Sequence, residues 1–254
     1  SVTLGRVFLS FFVRYDGMTL GEPEVQDFVA KLYPKRYSGT GFLYHSRIVT
    51  QMLDGIKFRD GRHSDKVLDV GCGIGFVSQL YPNFDIMGVD ISEEMLKRNP
   101  YVWKQAPVEV LPFPDKPLDF VVCRSLLHHL EHPYLGLLQI FRVLKPGGTW
   151  VCWEPNLSIF NDWIRRLAKL TRRFSHWHKN FEPQVLRDVI KASGFQIQSV
   201  TYQGYLAYPL LGFPDILDTH LPLGVGKALM RIDDWISRTP LAPMGWATMI
   251  RATK

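Results

Sequence analysis

The stretch Lys66–Asp90, KVLDVGCGIGFVSQLYPNFDIMGVD, constrains the fold of this chain more than any other part of the sequence. Apolar residues precede a turn that holds Gly71, Gly73 and Gly75, and a short helical segment then leads to a second apolar run that ends at Asp90. This order is typical of the first half of a doubly wound α/β nucleotide-binding unit. Glycines suit the turn because, without a Cβ atom, they allow a sharp reversal and a close approach of the backbone to a ligand.

Two acidic residues flank the glycines and narrow the choice of ligand. Asp90 follows Gly71 by nineteen residues, which suits a carboxylate that accepts hydrogen bonds from ribose hydroxyls. The glycine pattern is G-x-G-x-G, because Phe76 follows Gly75, and it therefore differs from the G-x-G-x-x-G of dinucleotide sites. Asp69 stands ahead of the turn, where a carboxylate repels a pyrophosphate and attracts a ligand that carries an ammonium group.

With this motif the chain resembles the class I S-adenosylmethionine-dependent methyltransferases, in the methyltransferase domain 11-like branch. Val67–Gly75 matches the first motif of that family, and the later runs HHL and RVLKPGG match its late motifs. The specific resemblance covers Val67–Asn156. It implies S-adenosylmethionine as cofactor, S-adenosylhomocysteine as product and no metal. The implied α/β fold is a doubly wound, Rossmann-like, seven-stranded and mostly parallel sheet with helices on both faces, an N-terminal helical cover and lid insertions.

The resemblance also implies which residues hold the cofactor. Asp69 would bind the ammonium group, directly or through water, and Asp90 would bind the ribose hydroxyls. Cys123 and Arg124 would contact the methionine portion through their backbone. The other implied contacts are Gly71, Cys72, Gly73, Gly75, Ile91, Met95, Pro107, Val108 and Glu109.

One position departs from the family pattern. Ahead of the LPFPD run the family carries an acid and a small residue that contact the adenine, whereas this chain has Pro107 and Val108. Proline offers neither an N–H group nor a carboxylate. We expect Glu109, a backbone carbonyl or a water molecule to replace the missing hydrogen bond, whose loss alone costs about 1 kcal/mol.

Two histidines are the first candidates for a catalytic base. Methyl transfer from a sulfonium needs no acid for the leaving thioether, so positioning carries most of the catalysis and a base serves mainly a hydroxyl acceptor. His128 or His129 could take that proton, because an imidazole titrates near neutral pH. Alternatively, one of them only caps or fills space in a predicted helix. His176 and His178 could belong to a lid or to the surface.

The whole chain, 1–254, is predicted to form a single methyltransferase domain. Residues 1–60 form a mainly helical cover, 61–156 the cofactor-binding core, and 157–180 and 204–244 two substrate or lid insertions. Helices are predicted at Glu24–Leu32, Phe42–Ile56, Ser92–Arg98, over the HHL run, from Pro133 and at Phe181–Ser193, and strands at Asp85–Val89, over FVVC to Cys123, and at Thr149–Trp153, Phe195–Tyr202 and Trp246–Ala252.

The sequence of the first insertion predicts a basic amphipathic helix near 159–174 that carries Trp163. Such a helix could make a peripheral membrane contact on an anionic surface, hold an acidic substrate, or form a lid with a solvated charged face. In the second insertion a further amphipathic helix is indicated, and it could wall an acceptor pocket, form a dimer contact or dip into lipid. Its apolar positions are Val225, Leu229, Ile232, Trp235 and Ile236.

The three cysteines, Cys72, Cys123 and Cys152, are odd in number and lack C-x-x-C spacing, so we expect a reducing, cytoplasmic setting, membrane-peripheral if the basic helix binds lipid. A zinc site of Cys123 with the nearby histidines does not fit, because the spacing matches no structural site. No apolar run is long enough to span a bilayer, and the N-terminal run VFLSFFV is predicted to be a covering helix.

The sequence therefore predicts a methyltransferase for a small-molecule acceptor, hydrophobic or lipid-like because the second insertion is apolar, with a quinone, polyketide or sterol-like molecule as examples. An RNA-modifying enzyme is the alternative that the net charge of +6 and the basic helix suggest. It is disfavoured because no RNA-binding module is appended. A non-catalytic, membrane-peripheral protein that binds S-adenosylmethionine is the third interpretation.

Overall fold

The structure is a computed structural model, and it describes residues 13–15, 18–20, 33–56, 58–59, 62–63, 65–115, 118–156, 181–212 and 221–254. The predicted helix at Glu24–Leu32 lies outside the described residues, as does the 157–180 insertion with His176 and His178. The apolar N-terminal run lies outside them too, apart from Val13.

Two short antiparallel hairpins accompany the helices of the N-terminal part of the chain. Strand β1 (Val13–Tyr15) pairs with β2 (Met18–Leu20), and β3 (Phe58–Arg59) pairs with β4 (Arg62–His63). Strands β1, β2 and β3 lie within residues 1–60, where the sequence predicted a mainly helical cover, and β4 follows that range.

Helices α1 (Tyr33–Arg36) and α2 (Gly39–Met52) lie between the hairpins in the chain. Helix α2 confirms the helix predicted at Phe42–Ile56, with both ends shifted towards the N-terminus. The extended backbone of Ser38 sets its start. Its buried positions recur every three or four residues, as the helical period requires, and they pack on the sheet.

The rest of the described chain alternates strands with helices. The strands are β5 (Val67–Val70), β6 (Ile86–Asp90), β7 (Trp103–Gln105), β8 (Leu118–Arg124), β9 (Leu144–Pro155), β10 (Gln196–Gln203) and β11 (Ala247–Thr253). The helices are α3 (Phe76–Leu80), α4 (Glu93–Leu96), α5 (Pro133–Val143), α6 (Pro183–Ala192), α7 (Ala207–Leu211) and α8 (Leu223–Ile236). In this part of the chain no helix is long and apolar enough to cross a membrane.

These seven strands form one sheet in the order β10-β11-β9-β8-β5-β6-β7. All neighbouring strands run parallel except β11, which is antiparallel to β9 and β10. The chain extends the sheet on one side of β5 with β6 and β7, and then returns to the other side with β8. In open α/β sheets ligands bind beyond the carboxyl ends of the strands at such a switch point. The predicted fold class is confirmed.

Side chains of β5 alternate between the two faces of the sheet, and all four are buried. Val67 belongs to a core cluster with α2, α3, α7 and α8, whereas Leu68 and Val70 belong to a second cluster with α5 and α6. By the same alternation Asp69 faces the side of α2. Helices therefore cover both faces, and the central strand carries one charged side chain into the first cluster.

Two local features differ from the sequence predictions. Trp103–Gln105 forms β7, which the sequence patterns do not place, because all three side chains are exposed at the edge of the sheet. The HHL run forms a 3₁₀ helix at Leu127–His129 rather than an α-helix. It begins after Ser125, whose φ of 55° turns the chain sharply away from β8.

Helix α8 is confirmed, but its buried face is not the predicted apolar stripe. Gly226, Met230 and Asp233 point inward, while Val225 and Ile232 are exposed. A glycine can face inward because it allows close approach of a neighbouring helix: a Cβ atom at Gly226 would lie 3.0 Å from Thr40 of α2.

All three cysteines are buried and free. Cys72 lies in the turn after β5, whereas Cys123 and Cys152 face each other on the neighbouring strands β8 and β9.

Replacing Gly75 by alanine is expected to destabilise the fold more than the same change at Gly147. Both glycines have left-handed backbones, with φ of 81° and 74°, but a Cβ atom at Gly75 would lie 2.4 Å from Oδ1 of Asn99, whereas none of the surrounding atoms lies within 4 Å at Gly147. We expect losses of about 3 kcal/mol for Gly75→Ala and about 1 kcal/mol for Gly147→Ala in the free energy of unfolding. Urea denaturation measures both, and equal losses would contradict the clash.

Candidate functional site

The turn between β5 and α3 depends on three glycines with left-handed backbones. Gly71, Gly73 and Gly75 have φ values of 75°, 51° and 81°. Residues with a Cβ atom rarely adopt this region, so the glycine pattern shapes the turn itself. The turn lies directly at the carboxyl end of β5, beside the switch point of the sheet.

Asn99 supports this turn, and sequence reasoning missed it. Its Nδ2 donates to the carbonyl oxygen of Gly73 at 3.2 Å, and its Oδ1 accepts the N–H of Tyr101 at 3.0 Å. Only 6% of Asn99 is exposed. In the sequence Asn99 is visible only as an amide residue just after the α4 segment. This position does not show whether its side chain holds the glycine turn or belongs to an ordinary turn.

Asp90 presents two fixed carboxylate oxygens next to the turn. Oδ2 accepts the N–H of Gly73 at 2.8 Å, and Oδ1 accepts the N–H of Ser92 at 2.9 Å. Burial raises the pKa of Asp90, and the hydrogen bonds from Ser92 and Gly73 oppose that rise. The backbone N–H of Ile91 also interacts with this carboxylate. A carboxylate offers about four lone-pair sites, so Asp90 can still accept a hydrogen bond from a ribose hydroxyl.

Asp69 is a buried carboxylate whose partner is not supplied by the described residues. It is 3% exposed, and burial raises its pKa to about 7, while the positive charge of Arg124 opposes the rise and Asp90 adds to it. In the part of the chain that the structure describes, no N–H or O–H group donates a hydrogen bond to this carboxylate. An uncompensated buried carboxylate is unfavourable, so a cationic ligand would stabilise its charged form.

Arg124 ends β8 on the same face of the sheet as Asp69, because Val122 pairs with Asp69 in the strand register. Its Nη2 donates to the Tyr37 hydroxyl at 2.5 Å, and its Nη1 lies 3.0 Å from Nδ1 of His45. A guanidinium has five N–H donors, so these two hydrogen bonds leave others for a ligand carboxylate. The sequence predicted only backbone contacts at this position.

The tautomer of His45 follows from its partners. Its Nε2 lies 3.0 Å from the carbonyl oxygen of Gly212, which can only accept, so Nε2 carries the proton and Nδ1 accepts from Arg124. Burial lowers the pKa of His45, and the positive charge of Arg124 lowers it further. A neutral imidazole therefore connects the residue after α7 with the end of β8.

Aromatic rings from the N-terminal helices pack beside the Arg124 guanidinium. Tyr37 stacks on Phe76 with ring centroids 4.1 Å apart, and Tyr33 stacks on Tyr37 at 5.3 Å. The Arg124 guanidinium lies 5.4 Å from the ring centroids of both Tyr37 and Phe76. Phe76, which takes the place after the last glycine, is thus the platform on which the cover packs. Burial raises the pKa of Tyr33 to about 12, and the nearby Tyr37 adds to the rise.

The remaining predicted cofactor residues divide by exposure. Cys72, Met95, Val108 and Cys123 are buried, so their side chains shape the turn and the strand ends. Ile91 and Pro107 are exposed, and Glu109 is half-buried at the 3₁₀ helix that begins after Pro107. These three residues belong to the predicted adenine side of the site, where Pro107 and Val108 depart from the family pattern.

His128 and His129 have different surroundings although they are neighbours. Nδ1 of His128 lies 2.7 Å from Oε2 of Glu154, and both side chains are buried. Oε1 of Glu154 accepts the N–H groups of Leu126 and Leu127, each at 2.9 Å. Burial raises the pKa of Glu154 to about 7, and those N–H groups oppose the rise. His128 and Glu154 therefore fasten the turn after β8.

His129 is half-buried, and its charge affects both Asp90 and Glu154. Its ring centroid lies 4.0 Å from that of His128. Of the two predicted bases, His129 is the one whose charge lowers the pKa of Asp90.

Outside this cluster the described residues offer no metal site but do form a groove. Among the described residues, no group of three or more His, Cys, Asp or Glu side chains could hold a metal ion. A groove of about 620 Å³ is lined by α2, β10 and α8, but its lining includes neither Asp69 nor Asp90 nor Arg124. The groove is therefore separate from the cluster at the switch point.

Comparison with known proteins agrees with this geometry. Residues 68–152 match the family model of a methyltransferase domain. A demethylmenaquinone methyltransferase of Symbiobacterium thermophilum is 33% identical over 187 residues, which are 67% of this chain and 68% of that protein. An uncharacterized methyltransferase of Schizosaccharomyces pombe is 32% identical over 128 residues, 42% of this chain, and the match spans 44% of that relative's length.

Among solved structures, a protein of Thermotoga maritima described as a possible histamine N-methyltransferase has a TM-score of 0.64. The match covers 91% of this chain and 99% of that one at 18% sequence identity, so it supports the fold alone.

Substitution of Glu154 tests its role at the turn after β8. Glu154→Gln keeps an oxygen for the N–H groups of Leu126 and Leu127, whereas Glu154→Leu leaves the buried N–H of Leu127 and the half-buried N–H of Leu126 without this acceptor. We expect Glu154→Leu to lower the free energy of unfolding by about 3 kcal/mol and Glu154→Gln by about 1 kcal/mol. Urea denaturation measures the difference. If both variants lose the same amount, Glu154 does not fasten the turn through these hydrogen bonds.

Proposed function

The chain belongs to the class I S-adenosylmethionine-dependent methyltransferase family, and we propose from this premise that it methylates a small hydrophobic acceptor of the quinone class. One observation carries the cofactor half of the proposal. Asp69 is a buried carboxylate, without a hydrogen-bond donor in the described chain, beside a glycine turn at the switch point of the sheet. A ligand that brings an ammonium group and a ribose to this place satisfies Asp69 and Asp90 together.

The residues present fit the cofactor. S-adenosylmethionine supplies a methyl group on a sulfonium sulfur, and it carries a ribose, an ammonium group and a carboxylate. We assign the ammonium group to Asp69, the ribose hydroxyls to the remaining lone pairs of Asp90, and the carboxylate to the unengaged N–H groups of Arg124. The backbone at Cys123 and Arg124 borders the methionine portion.

Positioning supplies most of the rate in this mechanism. The leaving thioether needs no proton, and well-oriented reactants gain effective molarities on the order of 10⁵ M. A hydroxyl acceptor must still lose its proton. We assign that proton to His129, because His128 is held by Glu154 and is buried.

The acceptor class is supported by two observations. The demethylmenaquinone methyltransferase of Symbiobacterium thermophilum aligns with 67% of this chain. Tyr33, Tyr37 and Phe76 form a stack of rings next to Arg124 and Asp90, and a flat aromatic acceptor can pack against such a wall. A reduced naphthoquinone has both the flat ring and the ionisable hydroxyl that this mechanism uses.

Calorimetric titration tests the cofactor half. Wild-type protein is expected to bind both S-adenosylmethionine and S-adenosylhomocysteine. Asp90→Ala should weaken binding at least tenfold, because the ribose loses two acceptors that the turn holds in place. Asp85→Ala is the matched control, since Asp85 is an exposed carboxylate at the other end of β6. No heat with either ligand in the wild type would end the cofactor proposal.

The pH dependence of binding tests Asp69. The ammonium group of the ligand favours ionised Asp69, whose pKa in the free protein is raised to about 7, so binding below that pH releases a proton. Affinity for S-adenosylhomocysteine should therefore rise by up to about tenfold per pH unit as the pH approaches 7, and then level off. Asp69→Asn should bind weakly without this rise, whereas Asp85→Asn should keep it. A rise that persists in Asp69→Asn would assign it to another group.

An assay with labelled cofactor and a reduced, demethylated naphthoquinone tests the acceptor. His129→Gln should lower the rate of transfer by about 10² or more at neutral pH, because a base contributes on that order. The rate should recover as the pH rises, since the acceptor hydroxyl then ionises by itself. Cofactor binding should stay unchanged. Binding without transfer to any quinone, catechol or RNA acceptor would instead support a non-catalytic protein.

A further inference from the structure

The outer face of helix α8 exposes large apolar side chains to solvent. Trp235 is 68% exposed, and Leu223, Val225 and Ile232 are exposed as well. Eight of the seventeen exposed large apolar residues of the described chain lie between 206 and 244. They are therefore concentrated in this segment rather than scattered over the surface, as single exposed apolar residues usually are.

Helical geometry divides this face into two adjacent bands. At 100° per residue, Val225, Ala228, Ile232 and Trp235 fall within an arc of about 80°, which forms an apolar band along the helix. Lys227 and Arg231 fall within about 40° of one another beside that band, and Arg238 follows in the turn after the helix. All three cations are exposed.

The acidic residues of α8 do not share these bands. Asp233 is buried and accepts the N–H groups of Leu206 and Ala207 at the start of α7. Asp234 pairs with Arg47 of α2. Within the described residues, no carboxylate forms an ion pair with Lys227, Arg231 or Arg238. The outer face of α8 is thus apolar and cationic.

We propose that this face, defined by Val225, Ile232, Trp235 and the neighbouring Lys227 and Arg231, docks on an anionic lipid bilayer. An apolar band with tryptophan inserts among acyl chains at the interface, while the adjacent cations contact anionic headgroups. A second copy of the chain fits less well, because pairing of this face with itself would bring the cations of both copies together.

The position of α8 connects the docked face with the site. Gly226 packs closely against Thr40, near the start of α2, and the same helix carries His45, which binds Arg124. Asp233 accepts hydrogen bonds at the start of helix α7, and Gly212, the residue after α7, accepts a hydrogen bond from His45 through its carbonyl oxygen. Helices α8, α7 and α2 thus connect the docked face with Arg124 through direct contacts. A lipid-soluble acceptor could therefore enter from the bilayer, and this last point alone rests on the proposed function.

Vesicle flotation tests the docking. The probes are vesicles of phosphatidylcholine alone and vesicles that also contain phosphatidylserine. Wild-type protein should float with the anionic vesicles, more weakly at high salt. The variant Lys227→Gln/Arg231→Gln/Arg238→Gln should lose about 100-fold in partitioning, since each cation near the surface contributes about fivefold. The variant Val225→Ser/Ile232→Ser/Trp235→Ser should no longer float.

A matched control keeps the test specific. Val102→Ser/Leu135→Ser/Val185→Ser removes three other exposed apolar side chains and should float like the wild type. Flotation of the α8 apolar variant at wild-type levels, or none for the wild type, would overturn the proposal. The proposal would also be overturned if sedimentation without lipid showed a dimer of the wild type and of the control variant, but not of the α8 apolar variant. The face would then bind a second copy of the chain. Calorimetry should give the same affinity for S-adenosylhomocysteine in the wild type and in all these variants. If the wild type did not bind S-adenosylhomocysteine, that result would count against the cofactor proposal and not against docking.

Discussion

Two opposite charges on neighbouring strands, the Asp69 carboxylate and the Arg124 guanidinium, impose the constraint on which the rest of the site depends. Both lie on the face of the sheet that α2 covers, and neither is fully solvated. Charges in such a place are tolerated only when hydrogen bonds and counter-charges surround them. Tyr37 and His45 supply part of that surrounding to Arg124. The N-terminal helices are therefore part of the site rather than a separate cover, and Asp69 is left to a ligand.

How much could be predicted from the sequence depended on the range of the interactions involved. The glycine turn, Asp90 and the order of strands were predictable, because spacing of a few residues and apolar periodicity determine them. The link from Arg124 to Tyr37 and His45 was not, because these partners are 87 and 79 positions away in the chain. Strand β7 escaped prediction because its exposed side chains give no alternating pattern. On α8 the inward face follows from a glycine, which hydrophobicity does not reveal.

The sheet separates the two kinds of polar cluster. On the side of α2, Asp69, Arg124 and His45 have unused hydrogen-bonding capacity or a fixed tautomer, which suits ligand binding. On the other side, Glu154 and His128 are buried and satisfy each other and the turn after β8. A perturbed pKa alone would not tell these clusters apart, since burial raises the pKa of both Asp69 and Glu154 to about 7. The count of satisfied partners does.

The three buried thiols can report how often two different parts of the fold open to solvent. Cys72 lies in the glycine turn, so a thiol reagent reaches it when that turn opens locally. Cys123 and Cys152 lie side by side on β8 and β9 with no exposed surface, so a reagent reaches them only when the two strands separate. Labelling rates at the two places would therefore measure separately how often the cofactor turn opens and how often the whole sheet does.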